Sequence, residues 1–168
     1  MSDNQQPQKR REKMAEIKHH YEELFQTVSD TLKASVGHIL FTVSHALPGG
    51  REVERIFTNM PAEYPNGGRK PVTRTDWNDI MDTGACFVAS TPEKFGAHFQ
   101  DLETIVALGF GSVINIPVIH QGRMLGSLNL LDRQGSYQGN VAPACRAVHD
   151  MAVAAYLAYE AFSNPQST

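Results

Sequence analysis

The stretch from Ser112 to Leu131 limits the folds open to this chain more than any other. Two apolar runs, Ser112-Val-Ile-Asn-Ile-Pro-Val-Ile119 and Met124-Leu-Gly-Ser-Leu-Asn-Leu-Leu131, flank the tetrapeptide His120-Gln-Gly-Arg123. Strand formers on both sides of a glycine-containing turn predict an antiparallel hairpin with Gly122 in the turn. Alternation puts Asn115 and Pro117 on one face of the first strand, and Ile114, Ile116 and Val118 on the other. Pro117 has no N–H to give to a ladder, so its place is an edge or a bulge. Ser127 shares parity with Asn129, which gives the hairpin a small polar patch on one face.

Helical periods flank the strands. Met14, Ile17, Tyr21, Leu24, Phe25, Val28 and Leu32 recur at spacings of three and four, and Gly37 is placed to end that helix. At the other end Val141, Ala144, Val148, Met151, Ala152, Ala155, Tyr159 and Phe162 predict one Ala-rich helix. Between them, Ile39–Val43 and Val53–Thr58 read as strands joined through the turn Pro48-Gly-Gly50. Asn59 to Arg74 is expected to be a long loop, because it holds three prolines and the pair Gly67-Gly68. Thr75-Asp76 would cap a short helix through Ile80 and Met81, and Phe87–Ala89 is a short strand. Thr91-Pro92-Glu93 starts a helix, and Asp101–Leu108 forms another that Gly109 stops. Mostly antiparallel strands with helices gathered on one face make an α+β domain with one sheet.

Composition sets the remaining bounds. A chain of 168 residues fits one domain and buries a core without disulfides. Residues 1–11, polar and charged, are expected to be a disordered leader, and 12–163 a single domain. The start lacks the apolar core of a signal peptide, and the longest apolar run, Met151–Tyr159, is too short for a membrane span. A cytoplasmic place and no membrane partner are therefore expected. The net charge of −3, with basic residues clustered only at Lys9, Arg10, Arg11 and Lys13, argues against a nucleic-acid partner. Cys86 and Cys145 are expected to be free thiols in a reducing compartment. With no C-x-x-C pair, no H-E-x-x-H and no Walker A spacing, no metal or cofactor is expected.

The order of elements, together with Gly109-Phe-Gly-Ser-Val-Ile-Asn-Ile-Pro-Val118 and His120-Gln-Gly-Arg-Met-Leu-Gly-Ser-Leu-Asn-Leu-Leu131, resembles the last sheet hairpin of a GAF domain. The likeness covers about residues 14–162. It implies a profilin-like or PAS-like α+β fold: a central antiparallel sheet with the N- and C-terminal helices packed on one face. It also implies a small-molecule-binding, sensor-like role, and a homodimer formed through those helices. One stand-alone branch of the family, the free methionine-(R)-sulfoxide reductases, is enzymatic and uses cysteines around its pocket.

The residues then propose where chemistry would sit. Gly67 and Gly68 would open backbone N–H groups, and Arg69 and Lys70 would add charge, for a carboxylate or phosphate. Asn59 would turn its amide toward the same cavity, beside Thr73 and Trp77. Phe87 and Phe99 would supply apolar contact, and Asn115, Ser127 and Asn129 polar contact, to a small anionic or aromatic metabolite. Two further functions are carried beside this one. An enzyme, redox (methionine sulfoxide reduction included) or hydrolytic, would use Cys86 with a His98–Asp101 pair. A regulatory subunit would instead hold another protein on its terminal helices.

Overall fold

The helical period of the first third is realised as one helix, α1, Gln5–Ser35. Tyr21, Phe25, Val28 and Leu32 are buried at successive spacings of four, three and four, forming the single stripe a helix turns toward a core. Residues 6–13 are all exposed. The helix starts inside the stretch predicted as leader, because i,i+4 pairs such as Gln8–Glu12 give those turns local support without burial. Its end is set by Val36 and Gly37, whose N–H groups both donate to the Leu32 carbonyl, with Gly37 at φ 79°.

The computed structural model describes residues 5–72, 84–96 and 102–164. Six strands are described: β1 Leu40–Ala46, β2 Glu52–Thr58, β3 Arg69–Pro71, β4 Phe87–Ala89, β5 Ser112–His120 and β6 Arg123–Asp132. They form one sheet in the order β3-β2-β1-β6-β5-β4, each neighbouring pair antiparallel. The predicted hairpin is β5–β6. It turns at Gln121 and Gly122, both at positive φ (50° and 73°), the conformation that suits a two-residue hairpin loop. Pro117 lies beyond the β4 pairing, which runs only to Asn115, so its missing N–H costs that ladder nothing.

Two expectations change. Arg69–Pro71, predicted as loop, is an edge strand paired with Glu52–Glu54. Three residues are too few to carry a period, and their partner lies elsewhere in the sequence. The C-terminal helix is two: α4 Ala142–Ala147 and α5 His149–Ser163. Fully buried Val148 stands between them at φ −98° and ψ −4°, and His149 Nε2 donates to the Ile119 carbonyl at 3.0 Å. The turn thus seats α5 on β5. The other described helices are short: α2 Pro92–Phe95 and α3 Leu102–Ala107. The predicted Thr75–Met81 helix lies outside the described residues.

The helices α1 and α5 pack together on one face of the sheet. Phe41, Val43, Phe57, Ile114, Ile116, Leu128 and Leu130 point into that layer and are buried. Each such side chain contributes about 1.5–3 kcal/mol on burial. Ala152 and Ala155 let the helices approach, and Phe25 meets Tyr156 edge-on at 5.3 Å. At the outer end Glu160 accepts both Arg123 guanidinium nitrogens, at 2.7 and 2.8 Å, and His45 Nε2 at 3.1 Å. That cluster ties α5 to β1 and β6.

Candidate functional site

The other face of the sheet carries the candidate site. Residues opposite one another in neighbouring strands share a face, so the register gives its rows directly. One row is Leu40, Leu131, Val113 and Ala89. It is apolar and buried beneath Tyr64, Phe95, Ile105 and Phe110. The next row runs Thr58, Thr42, Asn129, Asn115, Phe87 across five strands. Beyond it lie Ser44, Ser127 and Pro117. The far face is thus apolar at one end and polar across its middle.

The polar residues are interlocked on one side and open on the other. Asn129 Nδ2 donates to Thr42 Oγ1 and to Ser44 Oγ, both at 3.2 Å, and Asn129 Oδ1 accepts from Ser127 Oγ at 3.0 Å. Thr42 and Ser44 therefore accept from the amide while keeping their hydroxyl hydrogens for other acceptors. Asn115 differs: its Oδ1 is buried and has no hydrogen-bond partner among the described residues. A buried, unpaired amide oxygen is costly unless something donates to it.

Other predicted residues are placed elsewhere. The Asn59 amide is engaged by backbone groups. Its Oδ1 accepts from the Phe41 N–H at 2.7 Å and its Nδ2 donates to the Ile39 carbonyl at 2.9 Å, so the amide prolongs the β1–β2 pairing. Arg69 lies opposite Glu54, which lies opposite His45 on the helix side of the sheet. Its guanidinium pairs with Glu54 at 2.9 Å, away from the polar row. Lys70, one residue on, is opposite Val53 and so on the far face. Gly67 (φ 86°) donates its N–H to the Arg55 carbonyl at 2.8 Å rather than holding it open to an anion. A Cβ on Gly68 would stand 3.0 Å from Arg55 Nη1, so glycine there permits a close approach. Thr73, Trp77, His98, Phe99 and Asp101 lie outside the described residues.

Three participants were not singled out by sequence reasoning. Thr42 and Ser44 alternate with Phe41 and Val43, and the alternation that placed Asn115 would have placed them too. Arg55 left no local signal. It comes opposite Ser44 only through a bulge between Val43 and Ser44 in the β1–β2 pairing. Its Nη1 donates to the Pro65 carbonyl at 2.8 Å, and its guanidinium lies 4.1 Å from the centre of the Tyr64 ring. Arg55 thereby holds the 59–68 loop against the far face.

Cys86 and Cys145 are distant in sequence but come together on the helix side, at the β4 edge. Both are free thiols, Cys86 half-buried and Cys145 buried. The neighbouring Cys145 side chain holds the Cys86 thiol below the usual range, with the Arg146 charge acting the same way against burial. The Cys86 side chain and burial push the Cys145 thiol up. Among the described residues, no three His, Cys, Asp or Glu side chains gather as a metal site. No described helix is long and apolar enough to cross a membrane.

No protein-family model and no curated protein matches the chain. Solved structures do. The GAF domain of a two-component sensor histidine kinase from Bacillus halodurans superposes with a TM-score of 0.65 at 13% identity, over 84% of this chain and 96% of that one. The GAF domain/HD domain protein from Geobacter sulfurreducens gives 0.62 at 10% identity, over 89% and 97%. The blue-light absorbing PixJ GAF domain of Thermosynechococcus elongatus gives 0.60 at 12% identity, over 90% and 89%. A six-stranded antiparallel sheet, helices from both ends of the chain on one face and short helices on the other: this chain has the fold of a GAF domain.

Proposed function

We propose that this protein is a sensor-type small-molecule-binding domain whose ligand lies on the far face of the sheet. The ligand rests on Asn115, Asn129, Ser127, Thr42 and Ser44 and packs against Phe87. The observation that carries this reading is the buried, unpartnered Oδ1 of Asn115 in the middle of a polar row. An acceptor there, with hydroxyl donors on Thr42 and Ser44, complements a planar molecule with an N–H donor beside a carbonyl-type acceptor, such as a cyclic amide or a nitrogen heterocycle. This keeps the aromatic half of the sequence expectation. The engagement of Arg69 by Glu54 and of the Gly67 N–H by Arg55 removes two of the groups invoked for an anion. The domain acts in the cytoplasm as a homodimer, through the exposed N-terminal half of α1 and Leu157 of α5, which is 40% exposed. Light scattering of the full chain tests the dimer.

The ligand reading is tested by thermal shift against a panel of lactams, purines, pyrimidines and matched carboxylates. A ligand at about 100 times its Kd stabilises the folded state by about 2.7 kcal/mol. At least one heterocycle is expected to raise the Tm of the wild type and to lose that effect in Asn115→Leu. Stabilisation by carboxylates alone, or equal stabilisation of both proteins, overturns the reading.

A further inference from the structure

We propose that two copies of this chain pair through α1 in antiparallel orientation, along one exposed charged stripe that runs from Lys9 to Asp30. This rests on the homodimer proposed above and adds its orientation and register. Tyr21 lies 5.3 Å from Tyr159 and 5.5 Å from Phe162, and Phe25 lies 5.3 Å from Tyr156, all between ring centres. The two helices therefore run antiparallel, and α5 ends at Ser163, close to the level of Tyr21. The turns of α1 before Ile17, about 18 Å of helix, extend past that end. Residues 6–13 within them are all exposed. So short a helical stretch is marginal in water unless something packs against it.

Lys9, Lys13, Glu16, His20, Glu23, Thr27 and Asp30 follow one another at spacings of four and three, so they share one face of α1. All are exposed, because this face turns away from the stripe of Tyr21, Phe25, Val28 and Leu32 that the domain buries. Its charge is polarised, with cations at the N-terminal end and Glu16, Glu23 and Asp30 toward the other. Lys9 and Lys13 form no ion pair among the described residues, whereas Glu23 and Asp30 meet His19 and Gln26 of their own helix at 3.2 and 2.9 Å. A parallel pair in register sets every charge of the stripe against its own copy, and opposed like charges are unfavourable. An antiparallel pair centred near Lys18 sets Lys13 against the partner's Glu23 and Glu16 against the partner's His20, each twice by two-fold symmetry. Lys9 then falls opposite the partner's Thr27, one turn from the partner's Asp30. Each projecting end thus lies along the part of the partner's α1 that is seated on its own sheet. The seam is polar, so charge sets the pairing and salt weakens it.

The test uses the full chain in sedimentation equilibrium and in zero-length carbodiimide cross-linking of a mixture of isotopically light and heavy protein. The expected dimer weakens about tenfold between about 50 mM and about 500 mM salt. Its mixed light–heavy cross-links are expected to join Lys13 of one copy to Glu23 of the other. Lys9→Glu with Lys13→Glu is expected to weaken the dimer about tenfold or more, and Glu23→Lys with Asp30→Lys to do the same. All four substitutions together restore it, because the stripe is then reversed but still complementary to itself when antiparallel. A dimer that neither pair of substitutions weakens, or whose mixed cross-links lack the Lys13–Glu23 link, leaves the homodimer standing and overturns its antiparallel seam. A chain that stays monomeric at every concentration overturns both. The cross-links on the wild-type protein decide the orientation even if a variant folds poorly.

Discussion

Asn115 and Asn129 face one another across β5 and β6 yet have opposite surroundings. Asn129 is enclosed by three hydroxyls, whereas the Asn115 oxygen meets none. His38 is a second buried polar residue with one end unmet. Its Nε2 donates to the Ser29 carbonyl at 2.9 Å while its Nδ1 has no partner among the described residues. Burial pushes this imidazole below the usual histidine range. Gly126 is constrained by space instead: a Cβ there would lie 1.9 Å from the Ser44 carbonyl oxygen and 2.7 Å from the Tyr156 hydroxyl. Gly126→Ala is therefore expected to cost at least about 3 kcal/mol, read as a lowered urea midpoint. Tyr156→Phe removes only the hydroxyl that donates to the Ser44 and Ser127 carbonyls, at 2.8 and 3.2 Å. Its expected cost is about 1–2 kcal/mol by the same measurement.

At the scale of elements, the loop from Asn59 to Gly68 depends on one strand residue. Arg55 binds it through backbone bonds to Gly67 and Gly68, through Pro65 and over the Tyr64 ring. Arg55→Leu is expected to raise amide hydrogen exchange across 59–68 about tenfold, with little change in the β5–β6 hairpin. Exchange unchanged in that loop would show that it is held by other contacts. Elements whose evidence is local were legible in the sequence. The β5–β6 hairpin announces itself through its turn and its alternation, and α1 through Tyr21, Phe25, Val28 and Leu32. The face of Asn115, Ser127 and Asn129 followed from parity alone. What could not be read depends on register between distant segments. Arg69 and Lys70 looked equivalent as neighbours, but pairing with β2 sends them to opposite faces. The Cys86–Cys145 contact needs both the β4 edge and α4 in place. The break at Val148 arises from packing, since the apolar period runs through it without interruption.

At the scale of the whole molecule, acid acts on both layers in sequence. An unfolded imidazole takes up its proton near about pH 6.5, where folded His38 still resists it. Protons then favour the unfolded chain, so stability falls as pH drops below that value. Glu160 responds lower. Hydrogen bonds from Arg123, and then from His45, hold its carboxyl below the usual range. Its contribution is present above about pH 4.3 and is lost as pH falls through the folded value. Denaturation midpoints from about pH 8 to about pH 3 are expected to decline in two stages. His38→Gln flattens the first stage and leaves the second. Glu160→Gln lowers the neutral plateau by about 1 kcal/mol and flattens the second. A single stage unaffected by either substitution would count against this assignment.

The Tyr156 hydroxyl has a consequence for how the two faces communicate. Ser44 and Ser127 each belong to both: their side chains sit with Asn129 on one side, and their carbonyls bond a helix residue on the other. The sheet is therefore a thin diaphragm and not an insulating wall. Any displacement that tilts either serine's peptide plane is felt at a fully enclosed phenol on α5, one residue's thickness away.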